Sequence, residues 1–187
     1  MPRATYRVQL HPTFTLDDAA ALVPYLAELG VSHLYVSPVL QAAPGSTHGY
    51  DVVDHSRVGD ELGGSDAFAR LTDALREHGM GLVLDIVPNH MDISGEENRW
   101  WWDVLRHGPA SRYASYFDVE LDDPVVLPIL PDHYRRVLDT GGIRLLREGA
   151  GLVVEAGERR FPVDPRSAAP ILAAADPDRE IANMNAD

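Results

Sequence analysis

The chain has 187 residues, with 29 acidic against 16 basic side chains, a formal charge of −13 and no cysteine. An acidic balance argues against a nucleic-acid partner, which is held by an excess of bases that displaces phosphate counterions. The lack of thiols removes disulfides, zinc–thiolate sites and thiol catalysis, and because every basic residue is arginine there is no lysine for a Schiff base or a P-loop. The length suits one domain or slightly more and falls short of the roughly 250 residues of a closed eight-stranded α/β barrel. No apolar run approaches the roughly 20 residues that span a bilayer. The opening residues lack the apolar core of a signal peptide. A cytoplasmic address with no membrane partner is expected.

Residues 4–10 alternate, placing Tyr6, Val8 and Leu10 on one side of a first strand. Thr15 fits the N-cap of a helix with Asp18 in its first turn, and Ala19, Leu22, Val23, Leu26 and Ala27 recur at helical spacing until Gly30. Val31–Ser37 reads as a second strand stopped by Pro38, and Leu40–Gly64 as a long loop. Ser65 is placed to cap a second helix carrying Phe68, Leu71 and Leu75, with Gly79 after it. The run Gly81–Val87 is continuously apolar apart from Asp85, as expected of a parallel strand covered on both faces. This order is βαβ logic, with right-handed crossovers. After Pro88 the pattern changes to a short helix over Asn98–His107 that opens on three tryptophans. Short strands at Ile143–Arg147, Leu152–Ala156 and Arg160–Val163 then read as an antiparallel meander punctuated by glycines. Residues 165–187, rich in Ala, Pro and Asp, read as either a packed helix or a disordered tail.

Ligands of parallel α/β sheets bind beyond the carboxyl ends of the strands. There the sequence sets Asp85-Ile-Val-Pro-Asn89-His90, in which the carboxylate interrupts an apolar strand and demands a partner, arginine first of all. Asp85 alone could anchor a structural arginine or loop amides. With Asn89 and His90 leaving the same strand end, a site is the stronger reading. The loop Ala43–Asp54 carries Gly45, Gly49 and Tyr50, whose flat face and polar tip suit a sugar ring or plug an ordinary Ω-loop. Consecutive tryptophans Trp100, Trp101 and Trp102 point about 100° apart on a helix, so one face cannot bury them all. They either seal a domain junction or line a groove.

Asp85-x-x-x-Asn89-His90 after a third strand, with Gly49-Tyr50-Asp51 after a second, resembles the α-amylase superfamily, glycoside hydrolase family 13. Ala4-Thr-Tyr-Arg-Val-Gln-Leu10, His33-Leu-Tyr-Val-Ser-Pro38, Ala43–Asp51 and Asn98-Arg-Trp-Trp-Trp-Asp-Val-Leu105 resemble the maltooligosyl trehalose synthases within it. Tyr113-Ala-Ser-Tyr-Phe-Asp118 and Arg160-Phe-Pro162 fit the same resemblance, which is strong over residues 4–120 and looser over 121–165. It implies a (β/α)8 barrel that turns the reducing-end α-1,4 linkage of a maltooligosaccharide into an α,α-1,1 linkage. Two carboxyl groups would act through a covalent glycosyl-enzyme. By the same resemblance Asp85 and His90 hold the sugar, Tyr50 stacks on it and Asn89 supports the loop. No metal and no cofactor is implied.

The family's nucleophilic aspartate lies in an Arg-x-Asp motif after the fourth strand, and its further aspartate beside a histidine after the seventh. Neither Arg-x-Asp nor Asn-His-Asp occurs here. The expectation is therefore an α/β chain holding the first three β/α units of an incomplete barrel over 1–91. An inserted α+β subdomain follows over 92–165, and a tail over 166–187. Such a chain binds maltooligosaccharide, is inactive alone, and takes a further chain that completes the barrel as its partner. Without that chain, unpaired strand edges and uncovered helix faces favour self-association. Two alternatives stand beside it: a complete small hydrolase pairing Asp51 with Asp85, and a non-catalytic carbohydrate-binding or assembly protein using Tyr50 and the tryptophans.

Overall fold

The computed structural model describes residues 2–186, which divide in sequence after Asp92 into two compact units. In the first unit β1 (Thr5–Val8), β2 (His33–Val36) and β5 (Gly81–Leu84) form a parallel sheet in the order β1-β2-β5. Arg7, Tyr35 and Val83 stand abreast in it, as do Val8, Val36 and Leu84. Two helices, α1 (Leu16–Glu28) and α2 (Gly64–Glu77), join the strands. Their apolar stripes pack on one sheet face, where Val8, Leu10, Leu16, Val23, Leu26, Leu34, Val36, Leu71 and Leu75 are all buried. Asp18 accepts from both the N–H and the hydroxyl of Thr15, at 2.7 and 2.9 Å, so the predicted start of α1 holds. Arg70 of α2 grips Asp17 of α1 with two bonds of 2.7 and 2.8 Å across the outer surface.

Four expectations change. The stretch read as one long loop contains an antiparallel pair, β3 (Leu40–Ala42) with β4 (Val52–Val58). Polar residues Asp54, His55, Ser56 and Arg57 hide the β4 pattern, and buried Val52 and Val53 anchor it. Helix α2 starts two residues early, capped by Gly63 and not Ser65, because a 3-10 turn at Asp60–Leu62 runs straight into it. The helix faces need no further cover: Leu26, Leu71 and Leu75 are buried against each other and the sheet. The strand read as covered on both faces is the less protected element, with Leu84 at 41% and Ile86 at 65% exposure. It forms a sheet edge, which is why its apolar residues find no second neighbour.

The second unit carries α3 (Arg99–His107) and α4 (Tyr134–Asp139). The antiparallel meander β6 (Ile143–Glu148), β7 (Gly151–Ala156) and β8 (Arg159–Pro162) follows. The stretch read as a tail forms α5 (Pro165–Leu172) and α6 (Pro177–Met184), which bury Ala168 and Ile181 with Leu152 of the meander. Both helices open on Asp-Pro: Asp164 accepts from Arg166 N–H and Asp176 from Arg179 N–H, with proline in the first helical turn. Asn185 then pins the chain to β6 with two bonds to the Leu145 backbone, of 2.7 and 2.9 Å.

Candidate functional site

Side chains alternate across a strand, so the residues opposite the helix-covered face share the other one. Arg7 and Gln9 from β1 and its extension, Tyr35 from β2, and Val83 and Asp85 from β5 and its extension lie there. Asp85 is the centre of a hydrogen-bonded group at the carboxyl ends of the strands. Its Oδ2 accepts from the Tyr50 hydroxyl at 2.6 Å and from the Tyr35 hydroxyl at 3.1 Å, with Arg7 Nη2 at 3.9 Å. Arg7 also donates to the Tyr50 hydroxyl oxygen at 3.2 Å and to Gln9 Oε1 at 3.0 Å, and its guanidinium sits 5.4 Å from the centre of the Tyr35 ring. The Asp85 carboxylate, which accepts the Tyr50 proton, pushes the Tyr50 pKa up; partial desolvation adds to this and Arg7 opposes it.

The loop that presents Tyr50 is tied on every side. Gln9 Nε2 donates to the His48 carbonyl at 3.1 Å, and Glu61 accepts from Gly45 N–H at 3.0 Å. Ser46 donates to Asp51 and also accepts from Gly49 N–H at 3.1 Å. Gly49 has φ +76°, and a Cβ there would lie 2.8 Å from the Pro38 carbonyl oxygen, so the turn that delivers Tyr50 admits only glycine without distortion. Behind the loop, a cavity of about 20 Å³ lined by Leu10, Pro38, Gln41 and Gly49 has room for a water and none for a sugar. The Tyr50 ring, 37% exposed, therefore offers an open shelf rather than the wall of a closed pocket.

Three of the four predicted residues meet: Tyr50, Asp85 and His90. His90 Nε2 lies 3.1 Å from the Tyr50 carbonyl, which can only accept, so this nitrogen carries the proton and a neutral ring leaves Nδ1 as an acceptor. The ring that the resemblance sets to hold the sugar thus spends this N–H on holding the loop. Asn89 is exposed and makes no side-chain hydrogen bond among the described residues. Asp51 is engaged by Ser46 and lies 3.6 Å from His48, and it shares no hydrogen-bond partner with Asp85. Arg7, Gln9 and Tyr35 escaped sequence reading; the polar half of the β1 alternation was the available signal. Among the described residues no three His, Asp or Glu side chains gather as a metal site, and no helix is long and apolar enough to cross a membrane.

Residues 16–136 match the family of α-amylase catalytic domains. The chain belongs to this family. Within it, the chain is 46% identical over 173 residues to a maltooligosyl trehalose synthase of Mycobacterium tuberculosis, covering 88% of this chain and 22% of that protein. The solved maltooligosyltrehalose synthase of Arthrobacter ramosus superposes with a TM-score of 0.80 at 43% identity, over 97% of this chain and 23% of that one. An intracellular maltogenic amylase of Bacillus subtilis is 33% identical but matches only 60% of this chain. The synthases are thus matched along most of the chain and the amylase along a shorter part. This α-amylase family member is a homologue of the N-terminal region of maltooligosyl trehalose synthases and spans less than a quarter of their length.

Proposed function

We propose that the chain supplies part of the sugar-holding surface of a maltooligosyl trehalose synthase, converting reducing-end α-1,4 linkages to α,α-1,1, and that residues up to Asp92 are the first three β/α units of its barrel. The observation that carries this is the Tyr50 hydroxyl on Asp85 at the carboxyl ends of parallel strands, backed by Arg7. A carboxylate held by two phenols and a guanidinium keeps its second oxygen as an acceptor for a sugar hydroxyl. The tethered Tyr50 ring meets the apolar face of the pyranose. His90 fixes the shelf from below through the Tyr50 carbonyl. These groups bind and orient. The bond exchange needs a nucleophilic carboxylate and an acid/base about 5–5.5 Å apart, whereas Asp85 and Asp51 are each tied to partners of their own. The reading assigns those roles to later strands of the family's barrel, and the partner of this surface to the segment bearing them.

The test is a titration of the chain with maltopentaose, together with an assay for non-reducing product. Binding that weakens at least tenfold in Tyr50→Ala and Asp85→Ala, without turnover, is the expected result. Turnover above about 1 per second by this chain alone, an ordinary enzyme rate, would show that it holds its own nucleophile. Undiminished binding by both variants would remove the shelf.

A further inference from the structure

The three tryptophans all lie in α3, and the structure gives each a different surrounding. Trp100 stacks on Tyr113 at 5.8 Å and meets Tyr116 edge-on at 5.4 Å. Trp101 is buried against Phe117, with ring centres 5.1 Å apart. Trp102 is half-buried and has no aromatic neighbour among the described residues. One helical turn on, Arg106 shares its face. Among the described residues Arg106 is the only arginine that is half-buried, every other one being exposed. It makes no ion pair, and its Nε is buried without a hydrogen-bond partner.

A buried guanidinium N–H without an acceptor is costly, and an arginine with no ion pair is unexpected in a chain so rich in carboxylates. Trp102 and Arg106 together form the common wall of two open clefts of about 220 and 560 Å³, the larger within the usual span of ligand sites. The first is closed on its other side by Gly151 and Pro162 of the meander. The guanidinium lies against the start of β7: a Cβ at Gly151 would make an ordinary 3.6 Å contact with Arg106 Nη2. The ionisable neighbours decide the class of ligand. Glu96, Glu97, Asp103 and Glu148 outweigh Arg99 and Arg106 even with His107 beside Asp103, which disfavours an anion, while a guanidinium without an ion pair disfavours a cation. A neutral polyol satisfies both, giving hydroxyl protons to the carboxylates, accepting from the guanidinium and laying its C–H face on the indole.

We propose that Trp102 and Arg106 form a second carbohydrate-binding site, on the second unit, that takes a glucose unit of a maltooligosaccharide. The identity of the sugar rests on the function proposed above; the existence of the site does not. Because every tryptophan is in α3, intrinsic tryptophan fluorescence of the whole chain reports this site directly. Titration with maltoheptaose is expected to shift the emission in the wild type and equally in Tyr50→Ala. In Arg106→Gln, which keeps all three indoles, the apparent affinity should fall at least tenfold, and in Trp102→Phe the shift should disappear. Urea midpoints near that of the wild type identify which of the two variants is folded and decides. A shift lost in Tyr50→Ala would overturn the second site and leave the first standing. A shift kept at full affinity in a folded Arg106→Gln, or one produced by sodium acetate or phosphate and not by maltoheptaose, would overturn it outright. A shift kept in Tyr50→Ala, with shelf binding unaffected by that substitution, would support the second site while removing the first.

Discussion

Replacing Gly49 by alanine tests whether the turn before Tyr50 builds the sugar shelf. At φ +76° an L-residue pays about 1–2 kcal/mol for the left-handed conformation. Alanine's stiffer unfolded chain offsets about 0.4–1 kcal/mol of this. The 2.8 Å approach to the Pro38 carbonyl adds an overlap that only a backbone shift relieves, because the neighbour is main chain and not a flexible side-chain end. With about 1–3 kcal/mol for the overlap, an ordinary overpacking cost, the net loss should be about 1–4 kcal/mol, and the shift that relieves it carries Tyr50 away from Asp85. Gly30→Ala is the internal control: Gly30 has φ +86° with nothing within 4 Å of the added carbon, so it carries the conformational cost and not the contact. Urea unfolding and maltopentaose titration of both variants, made in a Trp102→Phe background that removes the second proposed site, give the comparison. Gly49→Ala should unfold at the lower urea concentration and bind at least tenfold more weakly, while Gly30→Ala binds like the wild type. Equal midpoints with unchanged affinity in Gly49→Ala would refute the argument.

The Tyr50 pKa is raised, so the protonated phenol stabilises the folded chain below the ordinary tyrosine range and that contribution fades as pH climbs through the folded value. Spectrophotometric titration should show one tyrosine ionising after the others, absent in Tyr50→Phe; indistinguishable curves would count against the Asp85 bond. The pKa values of Asp17 and Asp18 are lowered, by Arg70 and by the Thr15 backbone and hydroxyl respectively, so their contribution is present above the unfolded carboxylate range and lost as pH falls through the folded values. Asp17→Asn with Asp18→Asn should flatten the acid limb of the urea midpoint against pH, and an unchanged limb would exclude the role. With Ile86 65% exposed beside an unpaired strand edge, the chain should self-associate in sedimentation and Ile86→Lys should reduce this; a clean wild-type monomer near 20.6 kDa contradicts it.

The elements that sequence reading located were those whose apolar period belongs to a single partner surface. Helices α1 and α2 show this, as do the three strands of the meander. Strand β4 was missed because only its first two residues, Val52 and Val53, are buried, and the polar remainder lacks alternation. The last two helices were ambiguous because Ala and Pro blur the stripe that Ala168 and Ile181 mark. At the site, Asp85 and Tyr50 stood out as polar residues in apolar or glycine-rich surroundings. Arg7 and Gln9 did not, because a charged residue alternating with Val8 reads as a solvent face. That this face meets a polar group depends on Asp85 meeting Tyr35 of β2, 50 positions away, and Tyr50 of a loop, 35 positions away, which no local pattern encodes.

The division of the sheet into a helix-packed face and a polar face also bears on the order of events in folding. The apolar face is secured by contacts between consecutive elements. The Asp85 group joins β1, β2, β5 and a loop, and can close only when the strands are already paired. Interactions absent from the transition state act on the unfolding rate. Substitutions among Arg7, Tyr35, Tyr50 and Asp85 should therefore leave the folding limb of a chevron plot nearly unmoved and steepen escape from the native state. A polar face whose residues change without slowing folding is one that selection can alter while the scaffold keeps assembling at the same pace.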